Sequence, residues 1–181
     1  MTARSRPAAH PRTVQGLLAR EHAEVRHHLD HLRAIADAAP SEEPLRLRNK
    51  LDAVLSFLHN GLLPHMDVEE QSLYAAVDRL AEGPHSGAAM VLDHGAIRAL
   101  VADVDRVSSG LRAKEETAEL QRLLFVLEAV ARLHVDKEEE LYRPALKRLP
   151  SKVRAEIAAQ LRAHAVTHGH ERWGFSDHPR P

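Results

Sequence analysis

The chain has 181 residues, 44% of them hydrophobic but only 3% aromatic, the size of one compact domain with a Leu-, Ala- and Val-rich core that suits helices better than strands. With 25 basic and 26 acidic residues its formal net charge is -1, which excludes the overall basic field that draws proteins to nucleic acid or anionic membranes. It has no cysteine, so disulfides, thiolate zinc sites, iron–sulfur clusters and cysteine nucleophiles are excluded together.

Residues 1–12 are rich in Arg, Ala and Pro without an apolar period and read as a disordered basic N-terminal arm. Thr13 is placed to cap a first helix running to about Ala38, with Leu18, Val25, Leu29, Leu32 and Ala36 on its apolar stripe. Ser41 is expected to cap a second helix, with Pro44 in its first turn, carrying Leu51, Leu55, Leu58, Leu62 and Leu73 to near Leu80. After a break at Glu82-Gly83-Pro84-His85, a third helix points Val91, Ile97, Val101 and Val104 inward and stops at Ser109-Gly110. A fourth, from about Lys114 to Arg148, has Leu120, Leu123, Leu127, Val130 and Leu141 on its seam. Residues 151–168 form a short C-terminal helix offering Val153, Ile157 and Leu161, and 169–181, with Trp173 and Phe175, read as a flexible tail. Short connections between long amphipathic helices force antiparallel neighbours. The expected fold is therefore all-α: an up-down-up-down four-helix bundle over 13–150 with a short fifth helix. No apolar run approaches the roughly eighteen residues a membrane span needs, so a cytoplasmic protein without membrane contact is expected.

Histidine, at fourteen residues, is the compositional outlier. Mapped onto the stripes, one histidine per long helix falls on a seam: His22, His65, His94 and His134. His27, His28 and His31 fall off it. Helices 2 and 4 each add a glutamate one turn later, Glu69 and Glu138. Counted from the hairpin turns at roughly 1.5 Å per residue, all four histidines lie within one to two turns of the same level. The chain thus reads as two similar hairpins, each giving His from one arm and His-x-x-x-Glu from the other.

Residues four apart share a helix face about 6 Å apart, close enough for an imidazole and a carboxylate to hold one metal. A buried, unpaired carboxylate costs several kcal/mol, so two on an apolar seam call for a cation. Imidazole and carboxylate without thiolate suit iron or manganese, and facing bundle helices build dinuclear carboxylate sites. If both glutamates bridge, each ion receives two imidazoles and two carboxylate oxygens, which leaves room for an oxo or hydroxo bridge and an exogenous ligand. The bare motif is weak, since about one His-x-x-x-Glu is expected by chance and two occur. Placement carries the argument.

Glu21-His22, Leu62-Leu63-Pro64-His65 with Glu69-Glu70 and Leu73-Tyr74, Asp93-His94, and His134 with Glu138-Glu139-Glu140 and Tyr142-Arg143-Pro144 together resemble the hemerythrin-like HHE cation-binding family, from about Val14 to Leu149. The resemblance implies two non-haem irons, with His22 and His65 on one, His94 and His134 on the other, and Glu69 and Glu138 bridging. Manganese or zinc are possible substitutes. Animal oxygen-carrying hemerythrins have a further histidine where Arg98 stands here, and an aspartate five residues after the last histidine, where this chain has Glu138 at four. Those departures point away from simple reversible oxygen carriage, toward sensing, peroxide or nitric oxide chemistry, or iron handling.

Alternatives narrow quickly. The Glu-x-x-His pattern of ferritin-like proteins occurs at Glu24–His27, whose histidine is off the seam, and at Glu82–His85, which contains Gly-Pro. No His-Glu-x-x-His and no glycine-rich phosphate loop is present. Pro64 reads as a kink that aims His65. Glu70, Glu139 and Glu140 read as solvated or supporting carboxylates. Tyr74 and Tyr142 read as packing residues whose phenols can approach a metal. His27 with His31, and His164 with His168, read as surface pairs. Three functions remain: a di-iron protein that binds or senses oxygen, nitric oxide or peroxide or handles iron; a di-iron enzyme acting on hydrogen peroxide; and a structural metal-bound interaction module. Whether the chain is an enzyme, and which protein it partners, stay open at this level.

Overall fold

The computed structural model describes residues 13–80 and 86–167, and among them every element is helical. The N-terminal arm, the break at Glu82 to His85, His168 and the tail with Trp173 and Phe175 lie outside the described residues. Five helices follow in order: α1 (Val14–Ala38), α2 (44–78), α3 (Ser86–Gly110), α4 (114–146) and α5 (Ser151–Thr167). Helices α1 to α4 pack in a ring in which each touches its sequence neighbours and α4 closes against α1, while α5 lies across α1 and α2. No helix among the described residues is long and apolar enough to cross a membrane.

Local chemistry explains the helix starts. Thr13 is extended and its Oγ1 accepts from the Gly16 N–H at 3.2 Å, satisfying one orphan donor of α1. Ser41 does not cap α2. It lies in a 3₁₀ turn, Ala39–Ser41, and its hydroxyl donates back to the Ala38 carbonyl at 2.9 Å. Helix α2 starts instead on Pro44, whose ring presets the first-turn φ, with Glu43 ahead of it supplying no side-chain cap. At its far end α2 stops at Asp78, with only a turn through Leu80.

Helices α2 and α4 are interrupted by wide π-type turns at Leu58–Leu62, Glu69–Tyr74 and Glu138–Tyr142. Before the first proline the Leu63 N–H reaches back five residues to the Leu58 carbonyl, and before the second the Arg143 N–H reaches Glu138. Pro64 and Pro144 come directly after, and neither has an N–H to continue the ordinary pattern. Pro64 is thereby accommodated within α2, where Leu62 and Leu63 keep helical backbone angles.

Each wide turn absorbs an extra residue and rotates the helix beyond it. For this reason Leu141, expected on the seam of α4, is 61% exposed, while Tyr142 and Leu146 face the core. Val91 also points outward, at 42% exposure, and Met90 fills its place one turn before His94.

The core falls into two apolar clusters. The larger includes Leu29, Leu32, Leu51, Phe57, Leu62, Ile97, Val101, Leu124 and Leu127, toward the turns that join α1 to α2 and α3 to α4. The smaller joins Leu17 and Leu18, Leu73 and Tyr74, Met90, Tyr142 and Leu146 to Ile157 and Leu161 of α5. The seam histidines fall between them. His22 is flanked by Leu18 of the smaller cluster and Val25 of the larger, and His94 likewise by Met90 and Ile97. A polar layer is thus held inside the bundle with dry packing on both sides.

Candidate metal centre

The six seam residues all meet in that layer. His22, Glu69, His94 and Glu138 are fully buried, and His65 and His134 nearly so. Two overlapping groups of donor atoms lie within 4.8 Å of one another: His22, His65, Glu69 and Glu138 in one, and Glu69, His94 and His134 in the other. Glu69 joins the halves. Its Oε1 is 3.0 Å from His65 Nε2 and 3.5 Å from His22 Nε2, and its Oε2 is 3.6 Å from His94 Nε2. Glu138 does likewise, with Oε2 at 3.1 Å from His22 Nε2 and 3.6 Å from His134 Nε2. His94 and His134 bring their Nε2 atoms to 2.9 Å. The imidazoles therefore fall into two groups, His22 with His65 and His94 with His134, with both carboxylates between them.

Every one of the four rings turns Nε2 inward and gives Nδ1 to an outer carboxylate on the neighbouring helix. Glu21 of α1 meets His65 at 3.0 Å, Glu70 of α2 meets His94 at 2.7 Å, Asp93 of α3 meets His134 at 3.5 Å, and Glu139 of α4 meets His22 at 3.2 Å. Each helix supports the histidine of the next, around the whole ring. Such partners fix the tautomer and aim of a metal-binding imidazole. Sequence reasoning left Glu70 and Glu139 as solvated or supporting carboxylates and missed Glu21 and Asp93. Their signal was available: each directly precedes a seam histidine, and one residue of helix rotation, about 100°, carries it to the neighbouring helix. Glu140 is exposed and takes no part.

The charges are strongly coupled. Burial opposes charging His22, yet Glu138 and Glu69 outweigh it and hold the imidazole up to about 9. Burial opposes charging His65 too, and Glu69 and Glu21 raise it well above its usual range. Burial pushes Glu69 up, but His65 and His22 bring it well below the ordinary carboxylate value, whereas burial and the proximity of Glu69 raise Glu138. His94 is pushed down to about 4, by burial first and then by His134. A cation suits this site. Glu69 Oε2, Glu138 Oε2 and His65 Nε2 are buried with no hydrogen bond, and the donors are imidazole nitrogens and carboxylate oxygens directed at common points.

The chain from residue 13 to 146 matches the hemerythrin HHE cation binding domain. It belongs to that family. Comparison with curated proteins and with solved structures gives no significant match. Family membership implies cation binding, typically of iron, and the two His/Glu groups of this hemerythrin-like bundle can hold a metal.

The HHE chain also brings Tyr74 into the centre. Its hydroxyl donates to Glu138 Oε1 at 2.5 Å and lies 3.1 Å from His94 Nε2. Burial, with Glu69 and Glu138 adding to it, drives this phenol far above its normal range, so it stays protonated. Tyr142 packs its ring against that of Tyr74, centroids 5.3 Å apart. His28, expected off the seam, is buried and stacks on Phe57 at 4.2 Å between centroids. His27 and His31 stay on the outer side of α1 with their Nε2 atoms 3.2 Å apart. Among the described residues neither belongs to any group of three or more potential ligands.

Proposed function

We propose that the chain is a non-haem di-iron protein that binds or senses a small ligand (oxygen, nitric oxide or peroxide) or handles iron. On this reading His22 and His65 would hold one ion and His94 and His134 the other, with Glu69 and Glu138 shared between them; manganese or zinc could stand in for iron. The observation that carries this reading is the convergence of four inward Nε2 atoms on two buried carboxylates, each imidazole held from outside by its own acid. Iron held by these residues would supply redox chemistry. The protein contributes aim, neutralisation and exclusion of water by the apolar clusters above and below.

Metal analysis after iron-replete expression should give about two irons per chain, with near-ultraviolet charge-transfer absorption that changes on adding azide or peroxide. Purified protein free of transition metal would overturn the proposal. His65→Ala and Glu138→Ala should each lower metal content and thermal stability together, because binding energy here is folding energy. Unchanged iron in both variants would refute the ligand assignment.

Tyr74 favours a second reading, an enzyme that disproportionates hydrogen peroxide at the same centre. Its O–H, kept protonated by burial and held between Glu138 and His94, is a fixed hydrogen-bond donor inside the buried layer. On this reading Tyr74→Phe keeps its iron but loses roughly 100-fold or more in oxygen evolution from peroxide, the scale of a lost preorganised hydrogen-bond donor. Equal rates in Tyr74→Phe and the parent chain favour binding or sensing.

A further inference from the structure

The two halves of the bundle repeat more than the ligand pattern. In α1 an acid precedes the histidine and an arginine follows it by four: Glu21-His22 and Arg26. In α3 the same spacing gives Asp93-His94 and Arg98. Helix α2 carries His65, Asp67 and Glu69-Glu70, and α4 carries His134, Asp136 and Glu138-Glu139. Related members make related contacts. Arg98 reaches across to α2, giving Nη2 to Asp67 Oδ1 at 2.6 Å and Nη1 to Glu70 Oε1 at 2.8 Å. Arg26 reaches across to α4, with Nη2 on Asp136 Oδ1 at 2.8 Å and Nη1 at 3.8 Å from Glu139 Oε1. The second fork is looser at the glutamate, and Arg143 supplies the closer contact there, 2.9 Å to Glu139 Oε2.

We infer that Arg98 and Arg26 are positioning residues for the proposed metal centre, each holding the outer carboxylate that orients a metal-facing imidazole on its own helix. Four residues after the histidine, the arginine projects on the same side of the helix one turn along. Its guanidinium spans an aspartate and a glutamate three residues apart on the facing helix, which a planar fork does and a point charge cannot. Through Glu70, Arg98 fixes His94. Through Glu139, Arg26 and Arg143 together fix His22. Glu70 has no other cation at hydrogen-bonding distance among its described contacts, so its half depends on one arginine where the other has two. The arginine charge also offsets Glu70 beside the centre and keeps that carboxylate outside, on Nδ1, rather than free to swing toward a metal.

The inference rests on the metal reading, and one experiment separates their failures. Iron-loaded full-length chain is challenged with excess chelator, and iron release, the charge-transfer spectrum and the midpoint potential are followed. Arg98→Ala should release iron about ten-fold faster or more, the lower end of the loss seen when a supporting partner of a metal-binding histidine is removed. Its potential should fall, because an uncompensated Glu70 favours the more positive ferric state. Arg98→Lys should recover part of both, since an ammonium can hold one carboxylate of the two. Arg26→Ala should do less than Arg98→Ala, and the Arg26→Ala/Arg143→Ala pair should match it. Arg106→Ala removes an exposed arginine between Asp103 and Glu119 on the other part of α3 and should change nothing. Release and potential for Arg98→Ala within two-fold and within error of the parent would overturn the inference, as would equal acceleration in Arg106→Ala. A parent chain that takes up no metal defeats the metal reading, and this role with it.

Discussion

At the scale of single residues, position on a helix decides whether a histidine is chemical or structural. His22 and His28 are both buried on α1, yet His22 faces two carboxylates while His28 faces Phe57. Burial, reinforced by His27 and His31, pushes His28 down to about 4 from its ordinary value near 6.5. Between those values the unfolded chain binds a proton that the folded chain refuses. Stability from this residue is therefore complete above about pH 6.5 and is lost as the pH falls toward 4. The size is at most on the order of 3 kcal/mol. Urea unfolding from pH 4 to 7 should show this slope in the parent and not in His28→Gln; parallel curves for the two would show that the ring is not held neutral. The six seam residues were legible in the sequence because each lay on an apolar period. His28 was not, because it packs beside the main stripe, against a ring on α2.

At the scale of elements, the wide turns have the largest consequence. An uninterrupted α4 would turn Leu141 inward, three residues after Glu138, whereas the turn at Glu138–Tyr142 exposes it and puts Tyr142 and Leu146 inside. Leu141→Ala should thus change stability by no more than about 0.5 kcal/mol, while Leu146→Ala should cost roughly 2–5 kcal/mol through lost burial and a cavity. Thermal or denaturant unfolding of the two variants checks the register directly, and equal costs would contradict it. The two similar hairpins also differ here. Tyr74 follows Glu69 by five residues but Tyr142 follows Glu138 by four, and Tyr74 is the one whose hydroxyl reaches Glu138 and His94. Helix α5 covers the layer from one side, with Ile157 and Leu161 packed among Leu17, Leu18 and Leu73. Its amphipathic spacing was readable, but the helices it would lie across were not.

At the scale of the whole molecule, the polar layer divides the core into two apolar clusters, so on the proposed di-iron reading an ion in that layer should be linked to folding. Removing metal with a chelator should lower the melting temperature, and ferrous iron should restore it. At free metal about 100 times the dissociation constant the gain is roughly 2.7 kcal/mol. An unchanged melting temperature across that cycle would mean that the ion is not linked to folding.

The amino-acid sequence alone determined the helical class, the order of helices and the six residues that converge, because a 3.6-residue period and short connections constrain a bundle strongly. Only the tertiary structure decided which acid supports which imidazole, where wide turns shift the inward face by a residue, and that Tyr74 reaches the centre. Periodicity reports the face of one helix. Those outcomes depend on the rotation and height of one helix against another, which packing settles.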